Sequence, residues 1–229
     1  IEQSVIGKCS ETICEDGIVV TPDFVAVIDG STSKSRSGAT KTGKTGGQLA
    51  METIRELVRE CVSQTDLETF CEEATRRIQQ IYTQYYSPKV LPQLKSHPED
   101  RFCCSAVVFS RYWNEIWMIG DCQVMIVNRS EEEISVRRWT NNKPCEAAIA
   151  LKRSKYLKKA LAEGVITIEE LHQHDIGREV ILPELVKAMQ GENVDYAVID
   201  GFPIPMRKVK RIRQAWDENT EILIASDGY

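Results

Sequence analysis

The sequence contains little histidine, with only His97, His172 and His174 among its 229 residues. Chemistry that requires a cluster of imidazole groups is therefore nearly excluded, and carboxylates become the main candidates for reactive groups. His172 and His174 are two positions apart on a predicted helix, so they face different sides of it and make a poor metal pair.

The chain also lacks a basic excess, a long apolar run and a signal peptide. Lys and Arg number 29 against 34 Asp and Glu, a net charge of -5, which argues against a general nucleic-acid binder. No apolar run approaches the ~18 residues of a membrane span. Hydrophobic residues make up 42% of the chain, enough for a sizeable core. We predict a single cytoplasmic domain over residues 1–229, with neither nucleic acid nor a membrane as partner.

The eight cysteines lack the spacings of a zinc site. They contain no C-x-x-C pair and no Cys/His grouping with metal-ligand spacing. Several lie in apolar stretches, as Cys103 and Cys104 do before residues 105–108, where a reduced cysteine acts as a small buried hydrophobe. We predict free thiols.

Hydrophobic periodicity predicts short strands alternating with groups of helices. The predicted strands are residues 17–20, 24–28, 104–109, 115–119, 123–127, 134–139, 196–199 and 221–225. The predicted helices are residues 49–61, 67–82, 146–162, 167–172 and 177–189, with Asp66 as a start signal for the second. The four strands from 104 to 139 are typical of an antiparallel meander. This order favours a mixed α+β sandwich over a doubly wound parallel sheet.

An apolar run ends in an aspartate beside a small residue at four places. The copies are Asp29-Gly30, Gly120-Asp121, Asp200-Gly201 and Asp227-Gly228. A single copy is a common turn signal, but several strand ends that converge would gather carboxylates into one acidic pocket. Clustered carboxylates repel unless a cation neutralises them, and Mg²⁺ or Mn²⁺ prefers such oxygen ligands.

Six short segments then occur in a recognisable order along most of the chain. They are Glu15-Asp16, residues 25–30, Gly46-Gly47, residues 105–108, residues 119–121 and residues 221–228. Together they resemble the metal-dependent protein phosphatase 2C family. The resemblance implies a four-layer α-β-β-α sandwich, in which two antiparallel sheets are flanked by helices. It also implies a binuclear Mg²⁺ or Mn²⁺ centre that hydrolyses phosphoserine, phosphothreonine or a related phosphomonoester through a metal-activated water.

The same resemblance implies a role for each matching residue. Asp29 would bridge the two metals, and the Gly30 carbonyl and Asp227 would complete the shell. Asp16 would join the second metal directly or through water, and Asp121 would lie near an additional, weaker position. Asp29 and Asp227 would be the catalytic pair, and the partner would be a phosphorylated protein or a small phosphomonoester.

The sequence departs from the family pattern at three places. Ser31 follows Asp29-Gly30 where some members have a histidine proposed as general acid, and Glu11 stands where many have a phosphate-binding arginine. The nearby cations that could replace that arginine are Lys8, Lys34 and Arg36. The family continues past Ser-Asp-Gly to a further Asp, so we expect this domain to lack its C-terminal end. A non-catalytic phosphatase-like binding domain is an alternative.

Residues 38–45 match the phosphate-loop pattern G-x-x-x-x-G-K-[ST]. As a nucleotide site, the loop would place Lys44 on phosphates and Thr45 on Mg²⁺. However, residues 31–37 separate the loop from the preceding strand, whereas a phosphate loop leaves its strand directly. The loop could instead be a mobile flap beside the phosphatase site, with Lys44 near the substrate, or a solvated surface loop. Lys8 and Lys44 are the candidate substrate-binding residues.

A basic run at residues 207–213 has alternating charged and apolar positions. Such a run could dock an acidic partner. The alternation is more typical of the solvent face of a strand or helix, which is the interpretation we favour.

Overall fold

A computed structural model of the chain describes residues 1–6, 14–32, 34, 43–86, 89–131, 133–141 and 143–227, without the side chains of residues 172 and 173. The strands are β1 Asp16–Val20, β2 Phe24–Gly30, β3 Cys104–Ser110, β4 Glu115–Ile119, β5 Gln123–Arg129, β6 Ile134–Trp139, β7 Lys210–Arg213 and β8 Thr220–Ala225. The helices are α1 Gly46–Glu60, α2 Leu67–Tyr85, α3 Leu91–Ser96, α4 Glu146–Ala162, α5 Ile168–Gln173 and α6 Ile176–Met189.

Two antiparallel sheets form the centre of the fold. One has the strand order β1-β2-β3-β4-β7 and the other has the order β6-β5-β8. The prediction of an α+β fold with two antiparallel sheets flanked by helices is confirmed. β1 and β2 form the predicted hairpin, because the Phe24 amide donates to Thr21 Oγ1 at 2.9 Å and closes the turn.

Helices α1 and α2 cover one face of the five-stranded sheet. Thr45 and Gln48 form a capping box at the start of α1, and Asp66 accepts from the Thr69 amide at 2.8 Å at the start of α2, as predicted. Both helices bury an apolar stripe against the sheet, where Phe24 and Phe70 pack on Trp117 with ring centroids 6.1 and 5.9 Å away. The opposite face of this sheet packs against the smaller sheet through a second apolar core.

The predicted meander of four strands is wrong in its pairing, because it divides between the two sheets. β3 pairs with β4, whereas β5 pairs with β6 and β8. The chain leaves the first sheet at Gly120, whose φ is +92°. A Cβ there would lie 2.1 Å from Ser105 Oγ, so the crossing needs glycine for both backbone conformation and space.

One expectation needs correction at the C-terminal end of the fold. Tyr196 and Ile199, predicted to bound a strand, make isolated bridges to Glu192 and Cys104.

Part of the basic run forms β7, which pairs with β4 and places Arg211 Nε 2.6 Å from Glu115 Oε2. Arg211 and Arg213 are exposed and Ile212 is buried, so these residues form the solvent face of a strand, as favoured from the sequence.

Helices α4 and α6 pack closely at Gly177, where there is no room for a side chain. An added Cβ at Gly177 would lie 2.8 Å from Leu157 Cγ. The start of α6 reaches the loop after β2, since Arg178 Nη2 donates to the Thr32 carbonyl at 3.4 Å. Among the described residues, no helix is both long and apolar enough to cross a membrane.

The predicted free thiols are confirmed for seven of the cysteines. Those unpaired are Cys14, Cys61, Cys71, Cys103, Cys104, Cys122 and Cys145, and Cys9 lies outside the described residues. Burial raises the pKa of the Cys71 thiol to about 12, so this thiol stays protonated at neutral pH.

Tyr82 provides a test of the packing between α2 and the sheet. Its buried hydroxyl accepts from the Phe102 amide at 2.8 Å and donates to the Asp200 carbonyl at 2.8 Å. Tyr82→Phe leaves both backbone groups without this partner, so we expect the free energy of unfolding in urea to fall by about 1–3 kcal/mol. Tyr112→Phe, at a side chain 53% exposed, should change it by less than about 0.5 kcal/mol. Equal losses in the two variants would contradict this role.

Candidate metal centre

The hairpin of β1 and β2 brings the first two aspartates together. Asp16 and Asp29 are Cα partners in the antiparallel register. The Gly30 amide donates to the Glu15 carbonyl at 3.0 Å, which ties the end of β2 to the residue before β1. The sequence predicted both carboxylates at this point, and the structure places them side by side.

The start of α1 approaches the same place because glycine leaves room. A Cβ on Gly30 would lie 2.5 Å from the Gly47 carbonyl oxygen, and one on Gly47 would lie 2.7 Å from the Ser31 carbonyl oxygen. Thr45 Oγ1 donates to Glu15 Oε1 at 2.5 Å. The predicted glycine pair thus fixes the start of α1 against the end of β2, next to Asp29.

The second sheet brings the other two aspartates to the same end. β5 begins opposite the end of β8, with Gln123 and Ala225 as Cα partners. Asp121 precedes Gln123 and Asp227 follows Ala225, so the two carboxylates flank this paired end. Carboxylate oxygens of Asp121, Glu146 and Asp227 all lie within 4.8 Å of one another.

Asp29 links the two pairs of carboxylates electrostatically. Its pKa is raised from 3.8 to about 8, first by burial and then by the negative charges of Asp16, Asp227 and Asp121. A hydrogen bond with the Asp227 side chain raises it further. In the metal-free protein, Asp29 is therefore largely protonated at neutral pH, because a second negative charge there is strongly disfavoured.

Two neighbours keep Asp121 in its ionised form, in contrast to Asp29. Ser105, the Cα partner of Asp29, donates its hydroxyl to Asp121 Oδ1 at 2.5 Å, and Lys143 Nζ forms an ion pair with Asp121 Oδ2. Burial raises the pKa of Asp121, but Lys143 and the hydrogen bond from Ser105 outweigh burial and lower it below its ordinary value. Burial lowers the pKa of Lys143, whereas Asp121 raises it more, so both groups stay charged.

The donor set fits a hard divalent cation. Several carboxylates converge on one point, and Asp29 is protonated because it is buried and because its neighbours are negative. A bound divalent cation would relieve that repulsion and displace the proton. Asp16, Asp29, Asp121 and Asp227 are the predicted members of the set, with the carbonyl of Gly30 beside them.

Glu146 and Lys143 also lie at this cluster, although neither was predicted from the sequence. Glu146 opens α4, where an acidic residue is ordinary because the helix dipole favours it. Lys143 lies in the connection before that helix. Neither has a local pattern that distinguishes it from a surface charge, and both reach the site only through the packing of α4.

Other predicted residues are outside the cluster or outside the described residues. Lys8 lies outside them. Lys44 Nζ contacts Glu52 Oε1 at 2.8 Å, and Thr45 is committed to the cap of α1, so a nucleotide site at 38–45 is not favoured. The fourth aspartate of the motif, Asp200, is buried and contacts Arg101 Nη1 at 2.9 Å and Asn193 Nδ2 at 2.7 Å. Its role is structural.

No protein-family model matches the chain, and no curated protein matches it. Several solved serine/threonine phosphatases resemble its structure. PstP/Ppp of Mycobacterium tuberculosis is 15% identical, with 93% of this chain and 72% of that chain covered and a TM-score of 0.42. The catalytic domain of PstP in complex with two manganese ions is 14% identical, with coverages of 93% and 71% and a TM-score of 0.45. The phosphatase of S. agalactiae is 14% identical, with coverages of 98% and 77% and a TM-score of 0.46. With identities below 25% and TM-scores below 0.5, these likenesses identify no activity for this chain.

The raised pKa of Asp29 predicts how the stability of the metal-free protein depends on pH. Between pH 3.8 and about 8, the folded protein holds a proton that the unfolded chain has released. The resulting stabilisation is complete below the lower value and is lost as pH rises toward the upper one. Asp29→Asn removes the titrating group, so its midpoint of urea unfolding in chelator should exceed that of the wild type near pH 8. The difference should shrink as pH falls toward about 4.

The matched control for this prediction is Asp23→Asn, in the turn at the other end of β2. It should follow the pH profile of the wild type. Identical profiles for Asp29→Asn and the wild type would mean that the carboxylates do not repel as the structure indicates.

Proposed function

We propose that this protein is a Mg²⁺- or Mn²⁺-dependent phosphatase that hydrolyses phosphoserine, phosphothreonine or a related phosphomonoester. The single observation that carries the proposal is the convergence of Asp16, Asp29, Asp121 and Asp227 at the shared end of two sheets. The resemblance of these same residues to the protein phosphatase 2C motifs agrees with it.

Asp29 and Asp227 are proposed as the central ligands. Asp29 is buried beside the negative charges of three other aspartates, and its protonated carboxyl shares a hydrogen bond with Asp227, so it is the carboxylate that gains most from a cation. Asp16 and the Gly30 carbonyl would hold one side of the cluster. Asp121 and Glu146 would hold a further position on the other side, where their oxygens lie within 4.8 Å of Asp227.

Divalent cations bound by these ligands would lower the pKa of coordinated water and neutralise the phosphate of the substrate. The protein's own contribution is to keep the ligands in place. Ser105 and Lys143 hold Asp121, and the close contact of Gly30 with Gly47 holds the carbonyl end of β2. Binding should release a proton, because Asp29 must ionise to become a ligand.

Hydrolysis of p-nitrophenyl phosphate with Mn²⁺ tests the proposal. Asp29→Asn removes the shared carboxylate, so we expect the rate to fall at least about 100-fold, since metal catalysis contributes several kcal/mol. Asp217→Asn is the control, because Asp217 lies in the exposed turn before β8 and its replacement keeps the acceptor oxygen. That variant should hydrolyse the substrate at the wild-type rate, and excess chelator should stop the wild type.

Calorimetric titration with Mn²⁺ separates the alternatives. In one outcome, the wild type binds Mn²⁺, Asp29→Asn does not, and the wild type hydrolyses no substrate. This outcome would refute the phosphatase proposal and support a non-catalytic phosphatase-like binding domain. Hydrolysis that persists unchanged in Asp29→Asn would refute the proposed roles of the carboxylates.

A further inference from the structure

Three cations from separate parts of the chain converge beside the acidic cluster. Lys34 follows β2, Lys143 precedes α4, and Arg178 lies in the first turn of α6. Lys34 Nζ donates to Ser31 Oγ at 2.5 Å, and Arg178 Nη2 donates to the Thr32 carbonyl at 3.4 Å. Both contacts are made on the two residues that directly follow the end of β2, so these cations lie next to the proposed metal ligands.

The positive charges are close enough to repel one another. The pKa of Lys34 is lowered first by burial and also by the positive charges of Lys143 and Arg178, while Cys103 and Glu192 act in the opposite direction. Like charges held together in a half-buried place destabilise the protein unless an ion of opposite sign relieves them. Asp121 and Asp227 already stabilise the charge of Lys143, so the positive charge that an anion would relieve lies mainly at Lys34, beside Arg178.

Within the part of the chain that the structure describes, only one cation of this group has a carboxylate at ion-pair distance. Lys143 pairs with Asp121, whereas Lys34 and Arg178 contact a hydroxyl and a carbonyl. Ammonium and guanidinium groups each carry several donors, so both side chains keep donors for an anion. Lys143 lies at the boundary between the two clusters, because it contacts Asp121 and influences Lys34.

We propose that Lys34 and Lys143 bind the phosphate group of the substrate beside the acidic cluster, with Arg178 next to them. This inference rests on the proposed function and adds the residues that select a dianionic phosphomonoester. Phosphate oxygens accept charge-assisted hydrogen bonds from ammonium and guanidinium donors. Lys34 and Lys143 would thus provide positive charge for the phosphate group next to the proposed metal ligands.

Inorganic phosphate is the probe for this site, because it needs no catalysis to bind. Its dissociation constant is measured by calorimetry on the Mn²⁺-loaded protein, and the KM for p-nitrophenyl phosphate is measured in parallel. Lys34→Met and Lys143→Met should each weaken phosphate binding about tenfold or more and raise KM in step, since each removes a charged hydrogen bond. Lys34→Arg should restore most of the affinity.

The control is Lys159→Met, which removes an exposed lysine on α4 about 20 Å along the helix from Glu146. It should leave both the dissociation constant and KM unchanged. Because Lys143→Met removes the partner of buried Asp121, thermal unfolding is followed for each variant. If Lys143→Met does not fold, Lys34→Met decides the outcome, because Lys34 contacts a hydroxyl and not a buried carboxylate.

The outcomes separate this inference from the proposed function. Wild-type hydrolysis with unchanged phosphate binding and KM in folded Lys34→Met would overturn the inference and leave the phosphatase proposal intact. Lysine-dependent phosphate binding without any hydrolysis would support the inference and overturn the phosphatase proposal. A wild type that neither binds phosphate nor hydrolyses the substrate would overturn both.

Discussion

Repulsion among carboxylates is the constraint on which the rest of the site depends. Antiparallel pairing within each sheet brings one pair of aspartates together, and the packing of the two sheets brings the pairs to one end. Burial, together with the negative charges of Asp16, Asp227 and Asp121, raises the pKa of Asp29 to about 8, so a further negative charge there is unfavourable. Ser105 and Lys143 offset part of this repulsion at Asp121, and a divalent cation would offset the remainder.

The backbone accommodates this arrangement at positions where a side chain could not fit. Gly30 and Gly47 let the start of α1 contact the end of β2, and Gly120 lets the chain turn from the first sheet into the second beside Ser105. Each contact therefore positions a neighbouring aspartate as well as packing the fold. Gly30 directly follows Asp29 and Gly120 directly precedes Asp121, which links backbone geometry to the chemistry of the site.

The local parts of the fold were predictable from the sequence, whereas the distant pairings were not. Apolar periodicity predicted α1, α2 and the hairpin of β1 and β2, because each of these patterns is repeated within a few residues. The division of the meander depends on β8, which lies far along the chain from β5. The alternation in the basic run left strand and helix open, and the pairing of β7 with β4, which brings Arg211 and Arg213 to the buried Glu115, is again distant along the chain.

The same limit applies to the candidate site. Asp29, Asp121 and Asp227 were predicted because each ends an apolar strand, but Asp200 has the same pattern and is bound instead by Arg101. Sequence cannot show which aspartate has a distant basic partner. The proposed metal centre requires that Asp29 and Asp227 hold a divalent cation between them. Anomalous diffraction from crystals soaked in Mn²⁺ tests this requirement most directly. We expect a manganese peak between these two carboxylates, and soaked crystals with no peak there would refute the proposed centre.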